Sequence, residues 1–199
     1  GTDGTDLSPR QLLIHFLDNH DVPRFLSQYP DKVRFRNALA FLFTTDGVPC
    51  LYYGTEQDFS GGPDPSNRED MWKSGFSTKG ATFKWVQKLI KIRKRLVALR
   101  RGAAPVFRMV MTDEPEPGED HTGILALGRA GILAFERAYR APEGDTEQRV
   151  LMVFNTHNTN AQETSIDGKG METGFAANTT LKDQLTGDTF TTDSEGRLA

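Results

Sequence analysis

Leu12-Leu13-Ile14-His15-Phe16-Leu17-Asp18-Asn19-His20-Asp21 is the stretch that decides how the first half of this chain folds. A short apolar run stops abruptly at a cluster of polar residues. Such a pattern predicts a parallel strand buried on both faces, its C-terminal end opening onto a polar mouth. Downstream, Asp31 to Phe43 predicts a helix with Asp31 as its N-cap. The strand signal returns in Val48-Pro49-Cys50-Leu51-Tyr52-Tyr53 and is closed by Gly54. The polar stretch from Thr55 to about Lys79 is longer than a simple connection, and loops of that length often carry function.

The next helix has the strongest periodicity in the chain. Trp85, Leu89, Ile92, Leu96 and Leu99 recur at helical spacing, with Val86 and Ile90 widening the stripe. Gly102 stands where a left-handed glycine would end it. Lys84, Lys88, Lys91 and Arg95 form a basic face, read as the solvated back of the helix. Beyond Ala103-Ala104-Pro105 the pattern is all strand: Val106 to Met111, a hairpin pairing Ile124–Leu127 with Ile132–Phe135 about Gly128-Arg129-Ala130-Gly131, then Val150 to Phe154. A last hairpin spans Thr180 to Thr192 with Gly187-Asp188 at its turn. Residues 1–102 are therefore expected to be strand–helix–strand–helix, and residues 103–199 an antiparallel β-sandwich. The fold class is α/β plus all-β. Two strand–helix units cannot close a barrel of eight, so the first half is expected to be an incomplete (β/α)8 barrel, with an open sheet edge that associates or recruits a partner segment.

Composition narrows the function classes. The 199 residues carry a formal net charge of -3, with 26% charged and 37% hydrophobic residues. That balance argues for neither a nucleic-acid partner nor an anionic membrane surface. No apolar run reaches the ~18 residues that span a bilayer. The single cysteine, Cys50, excludes an internal disulfide framework.

Parallel α/β folds place their chemistry at the C-terminal ends of strands. Adjacent His20 and Asp21 at such an end suit a polyol, since the carboxylate accepts from vicinal hydroxyls while the imidazole donates or accepts. Residues of these types at strand ends also serve as loop anchors. The wording around them resembles the α-amylase family of glycoside hydrolases. Phe16-Leu17-Asp18-Asn19-His20-Asp21 with Val22-Pro23-Arg24-Phe25 is similar to that family's seventh barrel strand, and Gly47-Val48-Pro49-Cys50-Leu51-Tyr52-Tyr53-Gly54-Thr55-Glu56 to its eighth. Gly61-Gly62-Pro63-Asp64-Pro65-Ser66-Asn67-Arg68-Glu69 resembles the substrate-side loop that follows. Leu89 to Gly102 resembles the last barrel helix, and Ile132–Arg137 and Val150–Asn155 resemble strands of the C-terminal β-domain.

The resemblance implies that Asp21 is the carboxylate stabilising an oxocarbenium-like transition state through the sugar hydroxyls. It implies that His20 binds hydroxyls of the same sugar, and that Asp64 and Arg68 hold the neighbouring glucosyl unit. The substrate class it implies is α-1,4-linked glucan or maltooligosaccharide. The nucleophile and acid/base carboxylates of the family sit on earlier barrel strands, so this segment alone is expected to be inactive, its partner being an N-terminal barrel segment. No metal or cofactor is expected in this segment, while the resemblance leaves room for calcium in a full-length protein; it also implies an extracellular or periplasmic location. A glucanotransferase, an α-glucosidase and a non-catalytic amylase-like sugar-binding or interaction subunit are the competing functions. Glu56 reads as structural, Arg24 as packed against local carbonyls or carboxylates, and Tyr53, Phe59 and Trp72 as core or loop aromatics. His15 reads as a satisfied core histidine.

Overall fold

In the computed structural model, which describes residues 7–110, 131–143, 147–157 and 160–198, the chain divides into two compact units, Gly1–Gly102 and Ala103–Ala199. The first is built around two helices. Helix α1, Pro9–Leu12, and strand β1, Ile14–His15, lead into a short α2, Phe25–Gln28, and then α3, Lys32–Thr44. Asp31 caps α3 as its sequence predicts: Oδ1 accepts from the N–H groups of Val33 at 2.7 Å and Arg34 at 3.2 Å, partners for otherwise orphan donors. After strand β2, Val48–Pro49, the chain runs through a loop with two single 3-10 turns into α4, Ala81–Arg95, and α5, Val97–Arg101.

Phe35, Leu39, Leu42 and Phe43 of α3 and Val86, Leu89 and Ile92 of α4 are buried, each set on one helical face. Trp85 donates its indole N–H to the Arg36 carbonyl at 3.1 Å. Arg93, itself buried, reaches the other end of α3 and donates to the carbonyls of Phe43 at 2.8 Å, Thr45 at 3.1 Å and Gly47 at 2.5 Å. A cation there satisfies the last carbonyls of the helix and complements its dipole.

The long helix expected to run to Gly102 breaks. Leu96 is extended (φ -95°, ψ 102°), and α5 begins behind it. The break redirects the chain so that Ala98 and Leu99 are buried; their burial outweighs the lost turn. Gly102 has φ -64° and is not left-handed.

Strands β1 and β2 pair in parallel, Ile14 with Val48 and His15 with Pro49. Parallel pairing is as expected; double-faced burial is not. Leu12, Leu13, Ile14, Phe16 and Val48 are exposed, Ile14 by 63%. A strand of two residues with one neighbour cannot cover both faces of an apolar run, and among the described residues none packs over it. His15 also departs from expectation. Its Nε2 is buried without a hydrogen-bond partner among the described residues, and its ring lies 2.5 Å from where a Cβ on Gly47 would stand.

Every strand pair of the second unit among the described residues is antiparallel. Strands β3 (Val106–Val110), β4 (Ile132–Arg140) and β5 (Glu147–Asn155) form one sheet in that order. Strands β6 (Ser165–Ile166), β7 (Lys169–Glu172) and β10 (Arg197–Leu198) form another with β7 central. The Thr180–Lys182 and Thr189–Thr191 strands, β8 and β9, make the hairpin expected about Gly187. Met171 of β7 packs on Met109, Ile132 and Ala134 of the first sheet. Buried Glu136 accepts from Arg108 at 2.7 Å, Arg149 at 3.0 Å and the Gly174 N–H at 2.8 Å, which compensates its desolvation. The expected Ile124–Leu127 strand and Gly128, Arg129 and Ala130 of its turn lie outside the described residues.

Candidate functional site

The residues after β1 form a turn shaped by side chains bonding to main chain. Asp18 is 3% exposed and fixes the turn's entry. Its Oδ1 accepts from the Thr55 hydroxyl and its Oδ2 from the Phe25 N–H, both at 3.0 Å. Asn19 Oδ1 accepts from the N–H groups of Asp21 at 2.8 Å and Val22 at 3.2 Å, an Asx turn. With the main chain so bent, the His20 and Asp21 side chains stand out into solvent, 63% and 69% exposed, with Nε2 and Oδ2 3.3 Å apart.

The loop after β2 comes to meet this turn. Arg68 Nε lies 3.0 Å from Asp64 Oδ1, and Nε and Nη2 both reach the His20 carbonyl at 3.4 Å. Thus Asp64, Arg68, His20 and Asp21 share one exposed surface although more than 40 residues separate the two pairs. Behind them, Asn67 is fully buried and its Nδ2 donates to the carbonyls of His20 and Val22 at 2.9 Å and of Asn19 at 3.3 Å. A cleft of about 670 Å³ opens beside Arg68, lined also by Glu56, Asp58, Glu69 and Lys73. Of the four candidate residues only Arg68 lines it; the side chains of His20, Asp21 and Asp64 are exposed outside it.

Arg24 anchors both segments. It is fully buried, its Nε donates to the Asn67 carbonyl at 2.9 Å and lies 3.3 Å from Glu69 Oε2. Its guanidinium carbon sits 4.0 Å over the Tyr52 ring, 5.0 Å from Tyr53 and 5.4 Å from Phe59. Nη1 and Nη2 have no hydrogen-bond partner among the described residues; the ring faces take that place. The Tyr52 phenol is raised above its ordinary 10.0, first by burial and then by its hydrogen bond to Tyr53, against the opposing pull of Arg24 and Arg68. Glu56 Oε2 accepts from the Gly54 N–H at 3.0 Å, which fits the structural reading. Trp72 is 66% exposed on the 3-10 turn Met71–Ser74, a loop aromatic rather than a core one.

Comparison with known proteins converges on one family. Residues 5–102 match the catalytic domain of the α-amylase family. Alpha-amylase 2 of Schwanniomyces occidentalis is 29% identical over 194 residues, 98% of this chain and 33% of its own length. The solved α-amylase of Malbranchea cinnamomea superposes with TM-score 0.69 and 28% identity, over 95% of this chain and 34% of that one. The chain belongs to the α-amylase family of glycoside hydrolases. A γ-cyclodextrin glucanotransferase from the alkalophilic Bacillus clarkii aligns at TM-score 0.71 and 26% identity, over 95% of this chain and 24% of its own. The chain spans a third or less of the curated relatives it matches.

Within this family framework the arrangement can hold a neutral polyol. Two carboxylates offer acceptors, a guanidinium offers donors, and an imidazole offers either. Among the described residues no group of three or more His, Cys, Asp or Glu is placed to hold a metal ion. Sequence reasoning passed over Asp18, Asn19 and Asn67 as positioning groups. The signal for the first two was in view, because a polar cluster closing an apolar strand must bend the main chain and satisfy its amides. Asn67 left none.

Proposed function

We propose that this chain supplies the seventh and eighth strand–helix units of a (β/α)8 barrel and a C-terminal antiparallel β-sandwich, as part of a retaining α-amylase-type hydrolase cleaving α-1,4-glucosidic bonds in starch-like glucans or maltooligosaccharides. Asp21 is the transition-state-stabilising carboxylate; His20, Asp64 and Arg68 bind glucosyl hydroxyls. The observation that carries this is the Arg68 guanidinium, which holds the Asp64 carboxylate and the His20 carbonyl together on one open surface. The exposed apolar residues of β1 and β2 support the barrel reading, as faces made to be covered by further strands. An N-terminal barrel segment is the partner for that edge and carries the nucleophile and acid/base, about 5–5.5 Å apart in a retaining enzyme. The 199 residues by themselves therefore hydrolyse no glucan. Any calcium belongs to the full-length protein, and its location is extracellular or periplasmic.

The test is Asp21→Asn in the full-length gene product with a maltooligosaccharide substrate. Loss of a carboxylate that acts in the transition state lowers kcat by at least ~100-fold with KM little changed. A kcat within about threefold of the parent rules out the role of Asp21. Starch hydrolysis by the isolated 199-residue chain, abolished by Asp21→Ala, would refute the division of the site. The similarity to a cyclodextrin glucanotransferase supports a second reading, transglycosylation, which uses the same residues and differs in acceptor. Cyclic or lengthened products favour it; reducing-end release alone favours hydrolysis.

A further inference from the structure

We infer that Asn67 is a positioning residue for Asp21, acting through the peptide unit that joins His20 to Asp21. The inference rests on the proposed role of Asp21 and assigns what keeps that carboxylate aimed. The His20–Asp21 peptide is held at both ends. Its carbonyl accepts from Asn67 Nδ2 at 2.9 Å, and its N–H donates to Asn19 Oδ1 at 2.8 Å. Fixing that plane from both sides fixes ψ of His20 and φ of Asp21, and so the direction in which the Asp21 side chain leaves the backbone. The Val22 carbonyl accepts from the same Nδ2 at 2.9 Å, so the residues on both sides of Asp21 are tied to one amide.

Two further features separate Asn67 from an ordinary loop pin. It is fully buried, so its amide has no competing water, whereas Arg68, which reaches the same His20 carbonyl at 3.4 Å, is 48% exposed. Its own main chain is immobilised, because buried Arg24 donates to the Asn67 carbonyl at 2.9 Å and takes the Gly61 carbonyl with its own N–H at 3.0 Å. The site therefore rests on a chain of contacts from the Arg24 cage through Asn67 to the Asp21 peptide. Asp21, exposed and, among the described residues, without a side-chain clamp of its own beyond His20, depends on its backbone for direction.

A double-mutant cycle in the full-length gene product tests this, with Asn67→Ala and Asp21→Asn assayed singly and together on a maltooligosaccharide. Misplacement by about 1 Å costs up to ~100-fold in rate, so Asn67→Ala is expected to lower kcat about 10- to 100-fold while KM moves less than about threefold. In the Asp21→Asn background the same substitution is expected to lower kcat less than about threefold, since residues acting as a unit are not additive. The shift in thermal midpoint should be alike in both backgrounds. Asn67→Ser, which keeps a short donor, is expected to recover part of the lost kcat, and it runs the same cycle if the alanine variant does not fold. An equal kcat loss with and without the Asp21 carboxylate overturns the inference alone, and so does a loss confined to stability. A normal kcat in Asp21→Asn itself overturns the proposed function and the inference with it.

Discussion

Arg24→Ala should be among the most damaging single substitutions in the first unit, and its size can be worked from the contacts. The side chain is fully buried, its Nε bonds to the Asn67 carbonyl at 2.9 Å and faces Glu69 at 3.3 Å, and its guanidinium lies 4.0 Å over Tyr52. Removing one member of a buried ion pair costs about 3–5 kcal/mol, chiefly through the charge left behind. A desolvated cation–π contact is worth about 2 kcal/mol and a hydrogen bond about 1. The terms share one side chain and do not add, and Glu69 is 29% exposed, so water relieves part of its stranded charge. A loss of about 3–4 kcal/mol follows, on the order of a several-hundred-fold fall in the folded-to-unfolded ratio. Both tryptophans, Trp72 and Trp85, lie in this unit, so urea unfolding followed by tryptophan fluorescence reports it. Arg24→Lys keeps the charge but loses the planar face and Nε, and should cost about half as much. Pairing Arg24→Ala with Glu69→Gln should recover about 1–2 kcal/mol, because the stranded carboxylate is gone. A destabilisation below about 1 kcal/mol for Arg24→Ala, unchanged by Glu69→Gln, would refute the cage as an anchor.

Asp18→Ala leaves the Thr55 hydroxyl and the Phe25 N–H without their charged acceptor; it should destabilise by about 2–3 kcal/mol in the same urea assay, and a loss under about 0.5 would contradict the assignment. Gly47 has φ +79° and a Cβ there meets the His15 ring and the Leu13 carbonyl, whereas Gly187 has φ +93° with open space around it. Gly47→Ala should therefore cost about 2–4 kcal/mol and Gly187→Ala only about 1; equal costs would show that the close packing at Gly47 is immaterial. The Asp193 carboxyl is held below its ordinary 3.8 by the N–H groups of Arg197 and Glu195. A depressed pKa stabilises the fold above the ordinary value, and the contribution is lost as pH falls through the lower folded one. The Glu195 and Arg197 amide proton shifts should then titrate with a midpoint below 3.8 and stop titrating in Asp193→Asn; a midpoint at or above 3.8 contradicts the contact.

Local chemistry in the sequence announced what local chemistry controls. Asp31 caps α3 because a short acceptor precedes a helical stripe, and Gly187-Asp188 turns β8 into β9 because strand patterns flank it. The stripe through Leu96 misled because spacings of three and four fit one long helix and two short ones equally well, and only the core decides that Leu96 is extended. The run at Leu12–Leu17 identified a strand but not its burial, since an apolar side chain carries no record of whether a neighbour covers it. Strands β6, β7 and β10, two to four residues each, are too short for any period to register.

The candidate site divides along the same line. His20, Asp21, Asp64 and Arg68 were singled out by wording and side-chain chemistry, and in the structure Arg68 links Asp64 to the main chain of His20, beside Asp21. Of their supports, Asn67 was not legible, and Arg24 was legible only by partner type, because each bonds with its side chain to main chain far along the sequence. Asn67 and the His20 carbonyl stand 47 residues apart, Arg24 and the Asn67 carbonyl 43. A main-chain acceptor has no residue identity, so no pairing of residue types could have revealed those bonds. This asymmetry suits a sugar site. In the proposed function the groups that meet hydroxyls are exposed ones, while the rigidity they need comes from the buried Asn67 amide and Arg24 guanidinium. Arg24→Ala should accordingly cost stability and Asn67→Ala kcat, whereas Arg68→Ala, at a half-exposed side chain, should chiefly weaken binding.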